Sequence, residues 1–228
     1  MKNKIITIML ALVALSFASC EKETEGVTGI TYYPVITING GEETVVKVGE
    51  SYTDEGCTVT LNGEDVTEIA QTINTVDAQN MGIYTVTYSA VNEDGFSATA
   101  TRNVYVVNPG NFDTVYYGES TYGTRHYTNA PVIISALGDG EYEIDDIMGG
   151  FYWYGRYPGY EPDYDFHAEA KIKLNDDNSI ELLEVGSWQF GSNKITIKSS
   201  AYDKETGEIA FVFDFGGADF SLNLTPIE

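Results

Sequence analysis

Met81-Gly82-Ile83-Tyr84-Thr85-Val86-Thr87-Tyr88 decides the fold. Tyr84, Val86 and Tyr88 alternate with Thr85 and Thr87, which is the two-residue period of a strand with two different faces. Working outward, further short runs rich in Val, Ile, Thr and Tyr lie at Val35–Ile38, Glu43–Val48, Cys57–Leu61, Ile69–Asn74, Gly82–Val91 and Ala98–Val107. Asn62-Gly63 is a tight-turn signal, because both residues tolerate the positive φ that a two-residue hairpin loop demands. Asn108-Pro109-Gly110 breaks the pattern and predicts a domain boundary, so residues 32–107 form one β module.

Residues 108–228 continue in the same style. Runs at Val132–Ala136, Gly140–Asp145, Ala168–Leu174, Ile180–Val185, Lys194–Ser199, Glu208–Phe215 and Ser221–Leu224 predict seven or more antiparallel strands, as a barrel or a sandwich. Asn175-Asp176-Asp177-Asn178 and Asp203-Lys204-Glu205-Thr206-Gly207 read as hairpin loops. Helical periodicity is almost absent. The expected fold class is therefore all-β, a β-sandwich followed by a second antiparallel β domain.

The chain has 228 residues, 35 of them acidic against 12 basic, for a formal net charge of −23. That charge argues against nucleic acid as a partner, since phosphate binding needs clustered Lys and Arg. It also argues against adsorption to anionic lipid headgroups. Seventeen Tyr, ten Phe and two Trp exclude a solvated coil.

Lys2 and Lys4 precede a mostly apolar run, Ile5 to Phe17, too short to span a bilayer and of the length of a signal-peptide core. It ends in Phe17-Ala18-Ser19-Cys20, which resembles the bacterial lipoprotein cleavage box; an ordinary secretory signal that happens to contain a Cys is the alternative. Residues 1–19 would be removed, and Cys20 would carry the acyl chains, the protein's one attachment to the membrane. Residues 20–31 form an acidic tether. Glu21-Lys22-Glu23-Thr24-Glu25-Gly26 resembles the surface-export signal of Bacteroidetes lipoproteins, which implies an outer-membrane protein facing the exterior. Cys57, in a predicted strand with no activating base nearby, reads as a small buried hydrophobe.

Two longer resemblances follow. Val48-Gly49-Glu50-Ser51-Tyr52-Thr53-Asp54-Glu55-Gly56, the strand around Tyr84, and the hairpin of Asn92-Glu93-Asp94-Gly95-Phe96 with Thr101-Arg102-Asn103-Val104 look like the bacterial immunoglobulin-like domain of many surface proteins and of an insecticidal crystal toxin. The resemblance implies an immunoglobulin-like β-sandwich that serves as spacer or adhesion module. Gly149-Gly150-Phe151-Tyr152, Gly155-Arg156-Tyr157 and Tyr202-Asp203-Lys204-Glu205-Thr206-Gly207 look like C-terminal domains of Bacteroidetes surface lipoproteins, which occur in glycan-utilisation systems. It implies glycan capture beside an outer-membrane transporter.

Aromatic residues carry the functional expectation. Of 21 in the second module, 14 lie between Phe112 and Phe166. Phe151-Tyr152-Trp153-Tyr154 places four in a row, so some must point away from any single core. Tyr and Trp combine a flat apolar face with a polar edge, which suits the C–H faces and hydroxyl rims of sugars. The expected platform is Tyr152, Trp153, Tyr154, Tyr157, Tyr160 and Tyr164, with Arg156, Asp163, Asp165 and Glu161 bonding hydroxyls of a polysaccharide or oligosaccharide. Tyr116, Tyr117, Tyr122 and Tyr127, near Arg125 and His126, offer a second wall. The rival reading is a structural subunit that contacts a transporter or partner lipoprotein, because aromatics and Arg also dominate protein interfaces. A third is a glycoside hydrolase using Asp163 or Asp165, which would need two carboxyls at a defined separation. Asp54, Asp94, Asp139, Glu141, Asp145 and Asp146 are possible calcium ligands. Asp54 and Asp94 are read first as satisfying turn amides. Only His126 and His167 could serve as histidine bases or metal ligands, and they are far apart, so no catalytic or metal-site signature is present in the sequence and no cofactor is expected.

Overall fold

The computed structural model describes residues 30–160, 163–191 and 194–228. Cys20, most of the predicted tether and Glu161 lie outside the described residues.

The first module packs a three-stranded sheet on a four-stranded one. Strands β1 (Val35–Ile38), β3 (Cys57–Leu61) and β4 (Glu64–Asp65) form the first sheet. The second runs in the order β2 (Glu43–Lys47), β7 (Ser97–Val107), β6 (Gly82–Val91) and β5 (Gln71–Asn74). All its pairs are antiparallel except β2 with β7. Asn62 and Gly63 make the predicted two-residue turn between β3 and β4, with φ of 52° and 81°. Val46, Val86, Tyr88 and Val104 fill the space between the sheets, as the alternation around Tyr84 requires. Buried among them is Arg102, whose guanidinium pairs with Asp54 Oδ1 at 2.5 Å and donates to the carbonyls of Asn39 and Gly41. Tyr88 Oη donates to the same Asp54 oxygen at 2.6 Å. Asp54 is thus the half-buried ion-pair partner of a buried arginine, not the turn-amide acceptor expected of it. Cys57 is half-buried, and burial first and Asp54 second push its thiol up, the opposite of an activated nucleophile.

The second module is a nearly closed antiparallel barrel. Its strands are β8 (Val115–Tyr122), β9 (Arg125–Gly138), β10 (Glu141–Ile144), β11 (Ala170–Leu174), β12 (Ile180–Val185), β13 (Ile195–Tyr202), β14 (Ile209–Phe215) and β15 (Ala218–Pro226). Each pairs with its sequence neighbour, and β15 returns to β8, so the one gap falls between β12 and β13. Ser200 pins one end of that gap. Its hydroxyl accepts the Ile180 N–H at 2.8 Å and donates to the Ile180 carbonyl at 2.9 Å. Farther along, the strands part around an open groove of about 710 Å³. Alternate residues of β14 and β15, including Phe211, Phe213, Phe220 and Leu222, fill the interior. Strand β8 and the first half of β9 fall outside the strand runs that the sequence predicts, and their tyrosines are the expected second binding wall. Instead Tyr116 is fully buried, Tyr122 and Tyr127 pack partly buried against the core, and Tyr117 sits at the junction with the first module.

That junction is a small core of its own. Tyr105, Val107, Val115 and Ile227 are buried there, with Met81, Ile83, Tyr117 and Ile133 packed around them. The Glu43 carboxylate accepts hydrogen bonds from Tyr105 Oη at 3.1 Å and Tyr117 Oη at 3.0 Å, one from each module. The strict alternation of β7 therefore gives way to the unbroken apolar run Val104-Tyr105-Val106-Val107, covered on both faces.

Candidate functional site

The chain between β10 and β11 leaves the barrel wall and folds back across it. Asp146 fixes both ends of this insert. Its buried carboxylate accepts the N–H groups of Met148 at 3.0 Å, Gly150 at 2.8 Å and Ala168 at 3.1 Å. Burial pushes its pKa up, while those three donors favour the ionised form. Gly149 and Gly150, at φ of 58° and 73°, let the chain press against the barrel. A Cβ on Gly149 would collide with the Leu222 side chain, and one on Gly150 with Ala130. Phe151–Arg156 then winds into a π-helical turn, with Gly155 N–H bonded to the Gly150 carbonyl and Tyr157 N–H to the Tyr152 carbonyl. A single π turn of this kind is uncommon and is frequent at functional sites.

The turn sorts the four consecutive rings. Phe151 and Tyr152 go inward and are buried. Trp153 is half-buried, and Tyr154 is exposed at 45%. Tyr152 stacks on Phe190, centroids 4.4 Å apart, and meets the edge of Trp188. Trp188 Nε1 donates to the Phe166 carbonyl at 2.9 Å and locks the insert to the linker between β12 and β13. Tyr152 therefore belongs to the core and leaves the predicted platform.

Trp153 faces the other way, its ring 4.2 Å from that of His167. His167 Nδ1 lies 2.8 Å from Asp165 Oδ1. Both line a cavity of about 340 Å³ with Glu143, Asp145, Glu169, Gly186 and Ser187. The carboxylates differ in character. Asp145 is pushed up to about 6, chiefly by burial, against the Ile133 N–H that favours its charge. Glu143 is raised by burial and by its hydrogen bond with Glu169. Burial raises Asp165 too, but bonds from the His167 N–H and ring outweigh it, so it sits below the ordinary range. The arrangement offers an aromatic face beside a cleft rich in acceptors, with Asp165 held ionised and the Asp145 and Glu143 carboxyls raised.

A family model for a C-terminal domain matches residues 101–226, and one described as bacterial surface protein, Ig-like domain, matches residues 36–106. The crystal structure of the lipoprotein BT2262 from Bacteroides thetaiotaomicron is 30% identical, covers 85% of this chain and 100% of its own, and superposes with a TM-score of 0.61. The chain belongs to the family of that lipoprotein. The M60 catalytic domain with the CBM51-1 and CBM51-2 domains from Clostridium perfringens ZmpB overlaps 81% of the chain and 15% of its own, at 17% identity; its TM-score of 0.30 carries no argument. A search of curated proteins finds no match.

In this member of the BT2262 family, the remaining predicted residues split into two groups. Tyr157, Tyr160 and Tyr164 form a ladder against Phe166, with Tyr160 and Tyr164 exposed at 52% and 54%. Arg156 lies exposed over the Tyr157 ring at 5.2 Å, and Asp163 is exposed beside the ladder's outer end. Among the described residues, Asp165 is the polar group of the predicted platform that lines the cavity. Glu143, Glu169 and His167 lie outside the predicted platform, although His167 is one of the two histidines that the sequence offers as a base or metal ligand. A further signal is alternation, since Glu143 and Asp145 share one side of the chain around β10, and Asp165, His167 and Glu169 share one side of the segment entering β11. Among the described residues, no three His, Cys, Asp or Glu side chains are grouped to hold a metal ion. No helix among them is long and apolar enough to cross a membrane.

Proposed function

We propose that this protein is a non-catalytic glycan-binding surface lipoprotein, anchored in the outer membrane through Cys20 and facing outward, within a polysaccharide-utilisation system. The observation that carries this reading is the pairing of Trp153 and Tyr154 with the cavity reached through His167 and Asp165. A sugar ring packs against the exposed Tyr154 ring and the accessible part of the half-buried Trp153, and its hydroxyls reach Asp165, His167 and the Asp145 and Glu143 carboxyls. The first module raises this surface away from the lipid. The cleft is shallow, and the affinity expected is micromolar to millimolar, about −8 to −4 kcal/mol. Many copies on one cell surface then add avidity.

The test is a glycan array or pull-down with the soluble chain from residue 27 onward, beside Trp153→Ala and Tyr154→Ala. Binding that is lost in both folded variants supports the reading and names the sugar class. Binding to no plant, host or microbial glycan overturns it.

The second reading is an interaction subunit of an outer-membrane transporter or partner lipoprotein, and the exposed Tyr160–Tyr164 pair with nearby Arg156 favours it. Tyr and Arg are the residues that anchor protein interfaces. Co-purification of a stable partner, lost in Tyr160→Ala/Tyr164→Ala while no glycan binds, would establish it in place of the first.

A further inference from the structure

The far end of the first module carries apolar surface that neither core uses. Strands β6 and β7 pair along their length, from Gly82 opposite Val106 to Val91 opposite Ser97. The Gly82 end lies at the junction with the barrel. The hairpin at the other end is roughly 30 Å away at the usual strand rise. There the Tyr33 and Phe96 rings meet at 4.8 Å. Ile30, Tyr33, Val91 and Phe96 are exposed at 77%, 59%, 52% and 39%. The surface is built and not frayed. Asn92 Nδ2 donates to the Tyr32 carbonyl at 2.7 Å, and Asn92 Oδ1 accepts the Phe96 N–H at 2.8 Å. Glu93 and Asp94 rim it, beside a cavity of about 300 Å³ that Ile30 and Val91 also line.

The described chain begins in this patch, at Ile30. Ten peptide steps separate Ile30 from Cys20, so the two lie at most about 35 Å apart whatever path the chain takes. On the lipoprotein reading, that reach lets the apolar end of the module meet the bilayer, with the barrel and its aromatic flank held at the opposite end.

We propose that this end rests on the lipid surface that holds the Cys20 acyl chains. Ile30, Tyr33, Val91 and Phe96 sit in the headgroup layer, where amphipathic aromatic rings are favoured. Glu93 and Asp94 rim the contact, so the headgroups it meets are zwitterionic, because anionic ones would repel an acidic rim. The contact adds to the anchor and sets the molecule upright, so that the candidate glycan site points outward. A weak contact suffices, because the tether keeps the patch at high effective concentration beside the surface. This inference rests on lipidation of Cys20 and not on glycan binding.

The test uses the full lipidated chain in vesicles of phosphatidylethanolamine and phosphatidylcholine, with plain or brominated acyl chains. Phe96→Trp adds a reporter at the patch, and Tyr33→Trp is the second variant should the first fail to fold. The native Trp153 and Trp188 lie in the barrel module, and the wild-type protein subtracts their emission. The emission added at the patch should fall to roughly half in brominated vesicles, as expected for a side chain at the headgroup and acyl boundary. Flotation with the vesicles, but equal added emission in plain and brominated lipid, would overturn the contact and leave the anchor intact. Failure to float would overturn the lipidation reading and this inference with it. An added emission that shifts with protein concentration without vesicles would assign the patch to a second copy of the chain.

Discussion

The two modules each pair a carboxylate inside the fold, and they do so to different ends. In the first, the half-buried Asp54 meets Arg102 at 2.5 Å, Tyr88 at 2.6 Å and Tyr52 at 3.1 Å, so the buried Arg102 charge is matched within the sandwich. In the second, Asp146 closes three N–H groups, but its neighbour Asp145 accepts one N–H and turns to a cavity. Where every buried polar group is matched inside the fold, a module has nothing left to offer a ligand. Where a folded insert holds a raised carboxyl beside exposed rings, the same physics leaves binding capacity at the surface.

The strongest way to break this comparison is Asp146→Ala. Three N–H donors lose their acceptor, at about 1–3 kcal/mol each before relaxation, for a net loss of roughly 3–6 kcal/mol. Both tryptophans lie in the second module, so urea unfolding followed by Trp emission should show an early transition there. A midpoint unchanged from wild type would mean that Asp146 is not the clamp of the insert. Arg102→Met tests the other side. Removing one partner of a buried ion pair costs about 3 kcal/mol, toward the low end of the usual range because Asp54 keeps some solvent access. Far-ultraviolet circular dichroism should report that loss, while glycan binding by the folded variant is unchanged; altered binding would show that the modules are not independent in function.

The smallest effect has the opposite sign. The Asp145 carboxyl sits at about 6 in the folded protein, above the ordinary value near 4. Between those values the folded state holds a proton that the unfolded chain has released, so Asp145 lowers stability as pH rises from about 4 to 6, and the cost persists above that. Asp145→Asn keeps an acceptor for the Ile133 N–H and removes the charge. It should raise stability at pH 7.5 by about 2–3 kcal/mol, with the gain vanishing below about pH 4. Thermal melts across that range check it, and a gain that does not depend on pH would sink the assignment.

Much of this was legible in the sequence, for identifiable reasons. Val35–Ile38, Cys57–Leu61, Gly82–Val91 and Ile180–Val185 are strands with the bounds that alternation predicts. The Asn62-Gly63 turn was readable because only a few residues accept positive φ. The immunoglobulin-like sandwich followed from the motif around Tyr84. Strand β8 is hidden because Tyr116 and Tyr117 are both aromatic, one facing the barrel interior and the other the module junction, and because Gly118 and Ser120 take buried positions where alternation calls for apolar side chains.

Residue types and their spacing settled the all-β character, the turns and the surplus of aromatic rings, because strand period and turn chemistry are local properties of the chain. Only the tertiary structure decided which rings are core and which are surface. Tyr152 and Trp153 are adjacent and chemically alike, yet one is stacked on Phe190 and the other lies against His167 at the cavity rim. The π-helical turn, held by Asp146 and admitted by Gly149-Gly150, sets that division. It depends on where Leu222 and Ala130 stand in strands far along the chain, and no local pattern encodes that distance.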